Sequence, residues 1–199
     1  MKRKTTITLM ILMLIIALCG CSSKSANTIQ LWDPAEEQAQ VALEILTSGG
    51  HSAFAAYEVD KSYQTLKMGI EYYQDGKLVK DAKEGTIALR ENEDNAKETH
   101  GIAGFLFQNG KATIGASAGA SCSSCSDIDL PGFKAEDEES LASIGMPSAK
   151  NIADSEKIYL GALNAGSDTI NTEILDNTDS KEYPKGKTWL FYAIFSTEP

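Results

Sequence analysis

Apolar and polar residues alternate along much of the chain, a pattern that predicts β-strands. Leu66, Met68 and Ile70 are each separated by one less apolar residue, and this period of two is typical of a strand with one face in a core. Similar patterns predict strands at 53–59, 86–90, 102–107, 111–114, 157–163 and 169–175. The run from Trp189 to Phe195 is apolar without interruption, which predicts a strand covered on both faces near the middle of a sheet.

Two short turn signals predict β-hairpins. Asp75-Gly76 precedes a short strand at 77–79, and Asn109-Gly110 lies between the strands at 102–107 and 111–114. A two-residue hairpin turn needs positive φ at both positions, which Asp, Asn and Gly adopt readily. The pattern has no regular alternation of strands and helices. We therefore expect a mainly-β fold, an antiparallel β-sandwich or a half-open barrel of about eight strands.

Two segments have helical features instead. Asp33 is an expected N-cap with Pro34 at the first helical position, and Gly49-Gly50 is an expected end. We therefore predict one N-terminal amphipathic helix from about Pro34 to Thr47. A second, short and acidic helix is predicted over 134–144.

The N-terminus has the pattern of an export signal. Met1–Lys4 is basic, and the uncharged apolar run from Ile7 to Leu18 is shorter than the roughly 20 residues of a membrane-spanning helix. The sequence Leu18-Cys19-Gly20-Cys21 follows. It resembles the lipobox of bacterial lipoproteins, with an aliphatic residue three positions before a cysteine and a small residue directly before it.

The lipobox resemblance implies a modification and a domain division. It implies that the Cys21 thiol is alkylated by a diacylglyceryl group and that the chain is cut just before this residue. Residues 1–20 would then be a signal peptide, 21–30 a lipidated tether and 31–199 one β-rich extracytoplasmic domain. Acyl chains on Cys21 would hold the protein on the cell membrane, or on the outer membrane of a Gram-negative cell. The alternatives are an ordinary signal peptide or an uncleaved anchor helix.

A second resemblance concerns the mature domain. The segment YQTLKMGIEYYQDGKLV, residues 63–79, is similar to small uncharacterised cell-envelope lipoproteins of Gram-positive bacteria, in which a strand leads into a Y-x-D-G-K hairpin. The similarity covers about the first half of the mature domain. It implies a location in the cell envelope and no particular activity.

The charge of the chain excludes one class of partner. The formal net charge is −10, and loss of the basic residues of the signal peptide would make it more negative. Nucleic acid is therefore not an expected partner, because phosphate would be repelled.

Three acidic clusters, at 91–95, 127–129 and 136–139, lack the spacing of an EF-hand loop, so we interpret them as solvated charge. We expect no metal and no cofactor.

Cys122 and Cys125 form the most reactive pattern in the predicted domain, a C-x-x-C motif. Such a motif occurs as a structural disulfide, a redox dithiol or half of a zinc site. A redox dithiol usually lies at the N-terminus of a helix. The serines that flank these two cysteines do not predict a helix there. Zinc needs further ligands, and the two histidines, His51 and His100, have no matching spacing. A disulfide stapling a loop, or two idle thiols, is the favoured interpretation.

Residues 115–119 match G-x-S-x-G, the nucleophile elbow of serine hydrolases. That elbow needs a helix beginning at Ser117 and a histidine downstream of it. No helix is predicted there, and both histidines lie upstream. We therefore predict a flexible small-residue loop at this position and no catalytic residues.

The sequence favours a membrane-anchored, non-catalytic module that binds an unidentified protein or small ligand outside the cell. Two alternatives remain open at this point. One is a thiol–disulfide protein that uses Cys122 and Cys125, and the other is an inhibitor of an extracellular hydrolase that uses a loop at 117–129. Aromatic residues near strand ends are further candidates for a binding face: Trp32, Tyr57, Tyr63, Tyr73 and Tyr183.

Overall fold

A computed structural model of the protein contains two antiparallel β-sheets. It describes residues 27–33, 50–89, 98–118, 121–166, 170–176 and 184–199. The strands are β1 (Thr28–Leu31), β2 (His51–Asp60), β3 (Thr65–Gln74), β4 (Lys77–Ala88), β5 (Glu98–Gln108), β6 (Lys111–Ala118), β7 (Ser121–Ile128), β8 (Leu141–Gly145), β9 (Lys150–Asn151), β10 (Lys157–Ala165) and β11 (Lys187–Ser196). Short 3-10 helices occupy Ala135–Ser140 and Thr172–Leu175. The predicted signal peptide, Cys21 and the predicted helix at 34–47 lie outside the described residues.

The two sheets form a sandwich and do not close into a barrel. The six-stranded sheet has the order β7-β6-β5-β2-β1-β9, and the five-stranded sheet has the order β4-β3-β11-β10-β8. Every strand pairing is antiparallel. The predicted antiparallel β-sandwich is therefore confirmed, with more strands than the alternation predicted.

The main core lies between the sheets. Phe105 of β5 stacks on Phe191 of β11 with ring centroids 3.8 Å apart, and Trp189 is fully buried beside them. Strand β11 lies between β3 and β10 and is buried on both faces along most of its length. This confirms the prediction for 189–195. A second apolar cluster covers the outer face of the five-stranded sheet.

Both predicted hairpin turns are present. Asp75 and Gly76 have φ of 50° and 79°, and Asn109 and Gly110 have φ of 53° and 75°. Each turn joins two strands that pair with one another, β3 with β4 and β5 with β6. Positive φ at both central positions fits the twist of the flanking strands.

Two interior glycines let aromatic rings cross neighbouring strands. A Cβ on Gly101 would lie 1.9 Å from the backbone oxygen of Ser117 and 2.5 Å from the Tyr57 ring. A Cβ on Gly69 would lie 2.4 Å from the Tyr192 hydroxyl. In both cases the ring occupies the space that the missing side chain leaves, as occurs where aromatic residues cover strand glycines.

Three sequence predictions are corrected by the structure. Residues 86–88 are not the start of a separate strand, because β4 continues through them from the hairpin. The strand predicted at 169–175 is wrong, since Thr172–Leu175 is a 3-10 helix with Asn171 as its cap. This helix packs Ile174 and Leu175 against the five-stranded sheet. The helix predicted at 134–144 ends at Ser140, where strand β8 follows.

The predicted tether is also too long. Strand β1 begins at Thr28 and pairs with both β2 and β9, so the last residues of the 21–30 segment belong to the sheet. Ile29 is fully buried, and the Asp60 backbone N–H donates to Asn27 Oδ1 at 2.8 Å. Four residues are too few to reveal a period of two, which is why the alternation missed this strand.

Candidate functional site

The predicted flexible loop around the small residues is instead a pair of strands, β6 and β7. Ser117 lies within β6, and Cys122 and Cys125 lie within β7. Ser117 Oγ accepts from the Ile102 backbone N–H at 3.1 Å, and Ser117 O accepts from the Tyr57 hydroxyl at 2.6 Å. Ser117 therefore holds strands together, and no helix begins at it.

The two thiols of β7 lie on opposite faces of the sheet. Cys122 is opposite Ser117 on the outer face, whereas Cys125 is opposite Ile114 on the core face. Three steps of an extended strand separate their Cα atoms by about 10 Å, and a disulfide needs less than about 7 Å. Both cysteines are free, so the disulfide interpretation is wrong. A dithiol redox cycle would have to distort β7.

A groove lies beside Cys125, between β4 and β7, the edge strands of the two sheets. Its volume is about 300 Å³, at the lower end of the range for small-molecule sites. It marks the place where the sandwich does not close. Residues of four strands line it: Leu66, Met68, Gly85, Thr86, Ile87, Ile114, Gly115, Ala116, Ser123, Ser124 and Cys125.

The groove has an apolar floor and a hydroxyl-bearing rim. Its aliphatic side chains belong to the main core, and each is at most 8% exposed. Ser123, which is opposite Ala116 on the core face of β7, supplies the hydroxyl group at the rim. None of the described residues that line it carries a charge. A Cβ on Gly85 would have no neighbour within 4 Å, so the groove is open above this residue.

A second groove, of about 470 Å³, lies on the outer face of the six-stranded sheet. Glu58 and His100 line it and approach to 3.7 Å, with the histidine side chain 66% exposed. Of the described residues that line it, Tyr57 alone belongs to the main core, whereas several aliphatic core residues form the floor of the groove between β4 and β7. His51 is at the opposite end of β2, so the structure does not bring the two histidines together.

His51 instead contacts the other sheet. Its Nδ1 lies 2.9 Å from Ser143 Oγ of β8, and the Glu138 carboxylate acts on it electrostatically. Serine, histidine and glutamate are also the residue types of a hydrolase catalytic triad. However, Ser143 is exposed and lies in extended backbone paired with β10, which supplies no cluster of N–H groups for an oxyanion. The contact links the two sheets.

Protonation of His51 should destabilise the protein in mild acid. Burial lowers the pKa of His51 from its ordinary 6.5, although Glu138 opposes this effect. The unfolded chain therefore binds the proton more readily, so stability present above pH 6.5 is lost as the pH falls through the folded-state pKa. Between about pH 7.5 and pH 5, the free energy of unfolding measured in urea should fall less for His51→Asn than for the wild type. Equal losses in the two proteins would show that other groups titrate.

A buried polar network on the outer face of the five-stranded sheet was missed by the sequence patterns. Glu71, only 4% exposed, accepts from the hydroxyls of Tyr73 and Tyr159 at 2.9 Å and from Lys157 Nζ at 2.5 Å. Lys157 also donates to Asp81 at 2.7 Å. The alternation of β3 predicted only that Glu71 faces away from the main core, where solvent was the expected surrounding.

Within this network, Asp81 and Lys157 stabilise one another's charged forms. Burial raises the pKa of Asp81, but hydrogen bonds from Lys157 and Tyr192 outweigh it and bring that pKa below its ordinary 3.8. Burial likewise lowers the pKa of Lys157, and its hydrogen bonds to Asp81 and Glu71 outweigh this and raise it. Because every polar group is paired, the network is a structural element and offers a ligand no free partner.

Most of the aromatic residues considered for a binding face are core residues, as is usual in a sandwich. Tyr57, Tyr63 and Tyr73 are each at most 9% exposed, because their rings complete the two apolar clusters. Trp32 packs edge-on against Phe54 with centroids 6.2 Å apart. Tyr183 lies outside the described residues.

The acidic residues that the structure describes are not arranged as a metal site. No group of three or more His, Cys, Asp or Glu side chains converges within the described ranges. Asp137 pairs with Lys187 at 2.7 Å and Asp129 with Lys111 at 2.5 Å. The acidic cluster at 91–95 lies outside these ranges.

Among the helices that the structure describes, none has the length and apolarity needed to cross a bilayer.

The groove between β4 and β7 is thus the best-formed candidate site, with an uncharged lining and access to solvent. No protein-family model, curated protein or solved structure matches the chain.

Proposed function

We propose that the protein is a lipid-anchored module of the bacterial cell envelope that binds a small ligand in the groove between β4 and β7, without catalysis. The groove is the observation that carries the binding role, because it combines an apolar floor, hydrogen-bonding groups at its rim and access to solvent. The lipobox carries the location, outside the cytoplasm.

The start of the fold fits an anchor at Cys21. Strand β1 begins at Thr28, so the chain from the lipidated residue to the sheet would span at most about 25 Å when extended. A domain on such a tether works close to the membrane surface. An apolar or membrane-derived ligand would be within reach there.

Replacing Cys21 by alanine should abolish lipid attachment and release the protein from membranes. Without its acyl chains the domain keeps no anchor of comparable strength. Labelling of cells with a palmitate analogue, followed by membrane fractionation, measures both effects. Cys19→Ala is the matched control and should still be labelled, because the lipobox requires only the second cysteine as acceptor. A wild-type protein without label would refute the anchor.

The binding role is tested by filling the groove. Gly85 pairs with Met68 on the core face of β4, so a leucine at position 85 should place its side chain in the groove without a clash. We expect native mass spectrometry of protein incubated with an envelope extract to detect a bound small molecule on the wild type and on Gly85→Ala. Gly85→Leu should not retain it. Equal retention by Gly85→Leu would exclude the groove as the binding site.

The two other roles have less support. A thiol–disulfide cycle needs Cys122 and Cys125 to meet, and β7 holds them on opposite faces. An inhibitor would need an exposed loop at 117–129, where most residues instead belong to paired strands β6 and β7.

A further inference from the structure

We infer that the ligand of the groove between β4 and β7 is an uncharged amphiphile, an apolar chain or ring with a neutral hydrogen-bonding head such as an alcohol or an ester. This inference rests on the proposed binding role and specifies its chemistry. It follows from the residues that line the floor and the rim.

The floor determines the body of the ligand. Leu66, Met68 and Ile114 offer only apolar surface, so each methylene of a ligand that leaves water for this surface should tighten binding about fourfold. The gain should stop when the groove, at about 300 Å³, is full. A short chain fits this volume better than a long one.

The rim determines the head of the ligand. Ser123 bears a hydroxyl group that both donates and accepts hydrogen bonds, which suits a neutral head of either polarity. A carboxylate or an ammonium would lose hydration and find no opposite charge among the described lining residues. Burial of such an unpaired charge is strongly unfavourable.

An extended peptide fits the groove less well. A strand inserted between β4 and β7 and paired with both would need them about 9.5 Å apart, whereas their Cα atoms approach within 8 Å. The remainder of the β4 edge bears exposed Lys77, Lys80 and Lys83 and two register shifts. Lysines and bulges on an edge strand oppose pairing with another chain.

Cys125 provides a reporter inside the groove. Its thiol lines the groove and packs against the main core, whereas the exposed Cys122 is on the other face of β7. In protein with Cys19, Cys21 and Cys122 replaced by serine, Cys125 is the one thiol left in the sequence, and its rate of alkylation by N-ethylmaleimide therefore reports whether the groove is occupied. The probes are 1-octanol, octanoate and octylammonium, which share a chain and differ in the charge of the head.

We expect 1-octanol to slow alkylation of Cys125 several-fold at concentrations where octanoate and octylammonium have no effect. Hexanol should need about sixteen times the concentration of octanol, as two methylenes at fourfold each require. Ser123→Ala should weaken protection by octanol, since it removes the rim hydroxyl. In Gly85→Leu protein, Cys125 should be alkylated slowly without any probe, whereas Lys83→Leu, which places a leucine on the outer face of the same strand, should leave the rate as in the parent.

Two results would contradict the inference, and they are distinct. Protection by octanoate or octylammonium as strong as that by octanol would overturn the neutral head and leave the binding groove intact. Absence of protection by every probe, with Cys125 alkylated as fast in Gly85→Leu protein as in the parent, would overturn the groove itself and with it the proposed binding role. Melting temperatures of the variants that are no lower than that of the parent control for misfolding.

Discussion

Replacing Gly101 by alanine should destabilise the protein by about 3 kcal/mol, the upper part of the usual range for a side chain forced into a packed interior. The new Cβ would lie 1.9 Å from the backbone oxygen of Ser117, a residue held in place by its pairing with Cys122 of β7. It would also displace the Tyr57 ring and so break the hydrogen bond from the Tyr57 hydroxyl to Ser117 O. Urea unfolding followed by tryptophan fluorescence measures the change.

Gly85→Ala is the matched control for this substitution. Its Cβ meets nothing within 4 Å, so the variant should be as stable as the wild type or more stable by up to about 1 kcal/mol, because alanine restricts the unfolded chain. If the two variants unfolded at the same urea concentration, the crossing of Tyr57 over Gly101 would not be a constraint on this fold.

The second large effect is expected at Glu71, whose replacement by alanine should cost about 3 kcal/mol. The loss leaves the hydroxyls of Tyr73 and Tyr159 without their acceptor and removes one of the two carboxylates that hold Lys157. The value is at the low end for a broken buried ion pair because Lys157 keeps Asp81 and is partly exposed to water.

A double-mutant cycle separates the ion pair from packing. Glu71→Ala and Lys157→Ala should each destabilise the protein, and the two together should cost less than their sum by at least about 1 kcal/mol. Glu71→Gln, which keeps the size and one acceptor oxygen, should be milder than Glu71→Ala. Strict additivity would mean that Lys157 and Glu71 act independently, against the 2.5 Å contact between them.

Alternation predicted the strands whose inward residues are large. Strand β3 places Leu66, Met68, Ile70 and Tyr72 inward, and β5 places Phe105 and Phe107 inward, so burial leaves a clear period of two in the sequence. Strand β7 has the sequence SCSSCSDI and carries no such signal, because backbone pairing with β6 forms it and its side chains contribute little. Strand β1 was missed for another reason, because its four residues are too few to show a period of two.

The groove was beyond prediction for a different reason. Its walls, around Gly85 and Ser124, are far apart in the sequence and become neighbours only because β4 and β7 are the edges of two stacked sheets. The separation of Cys122 from Cys125 likewise depends on an extended backbone, which the C-x-x-C spacing does not reveal. The buried role of Glu71 required knowledge of what covers the outer face of the five-stranded sheet.

The position of β11 in the five-stranded sheet has a consequence for the order of folding. This strand follows all the other described strands in the chain yet separates β3 from β10, so the five-stranded sheet lacks its central strand until residues 187–196 have been synthesised. Pairings between distant parts of a chain also form slowly. A nascent chain that lacks residues 187–196 would therefore stay open, and the polypeptide would remain threadable through a narrow channel until β11 was made.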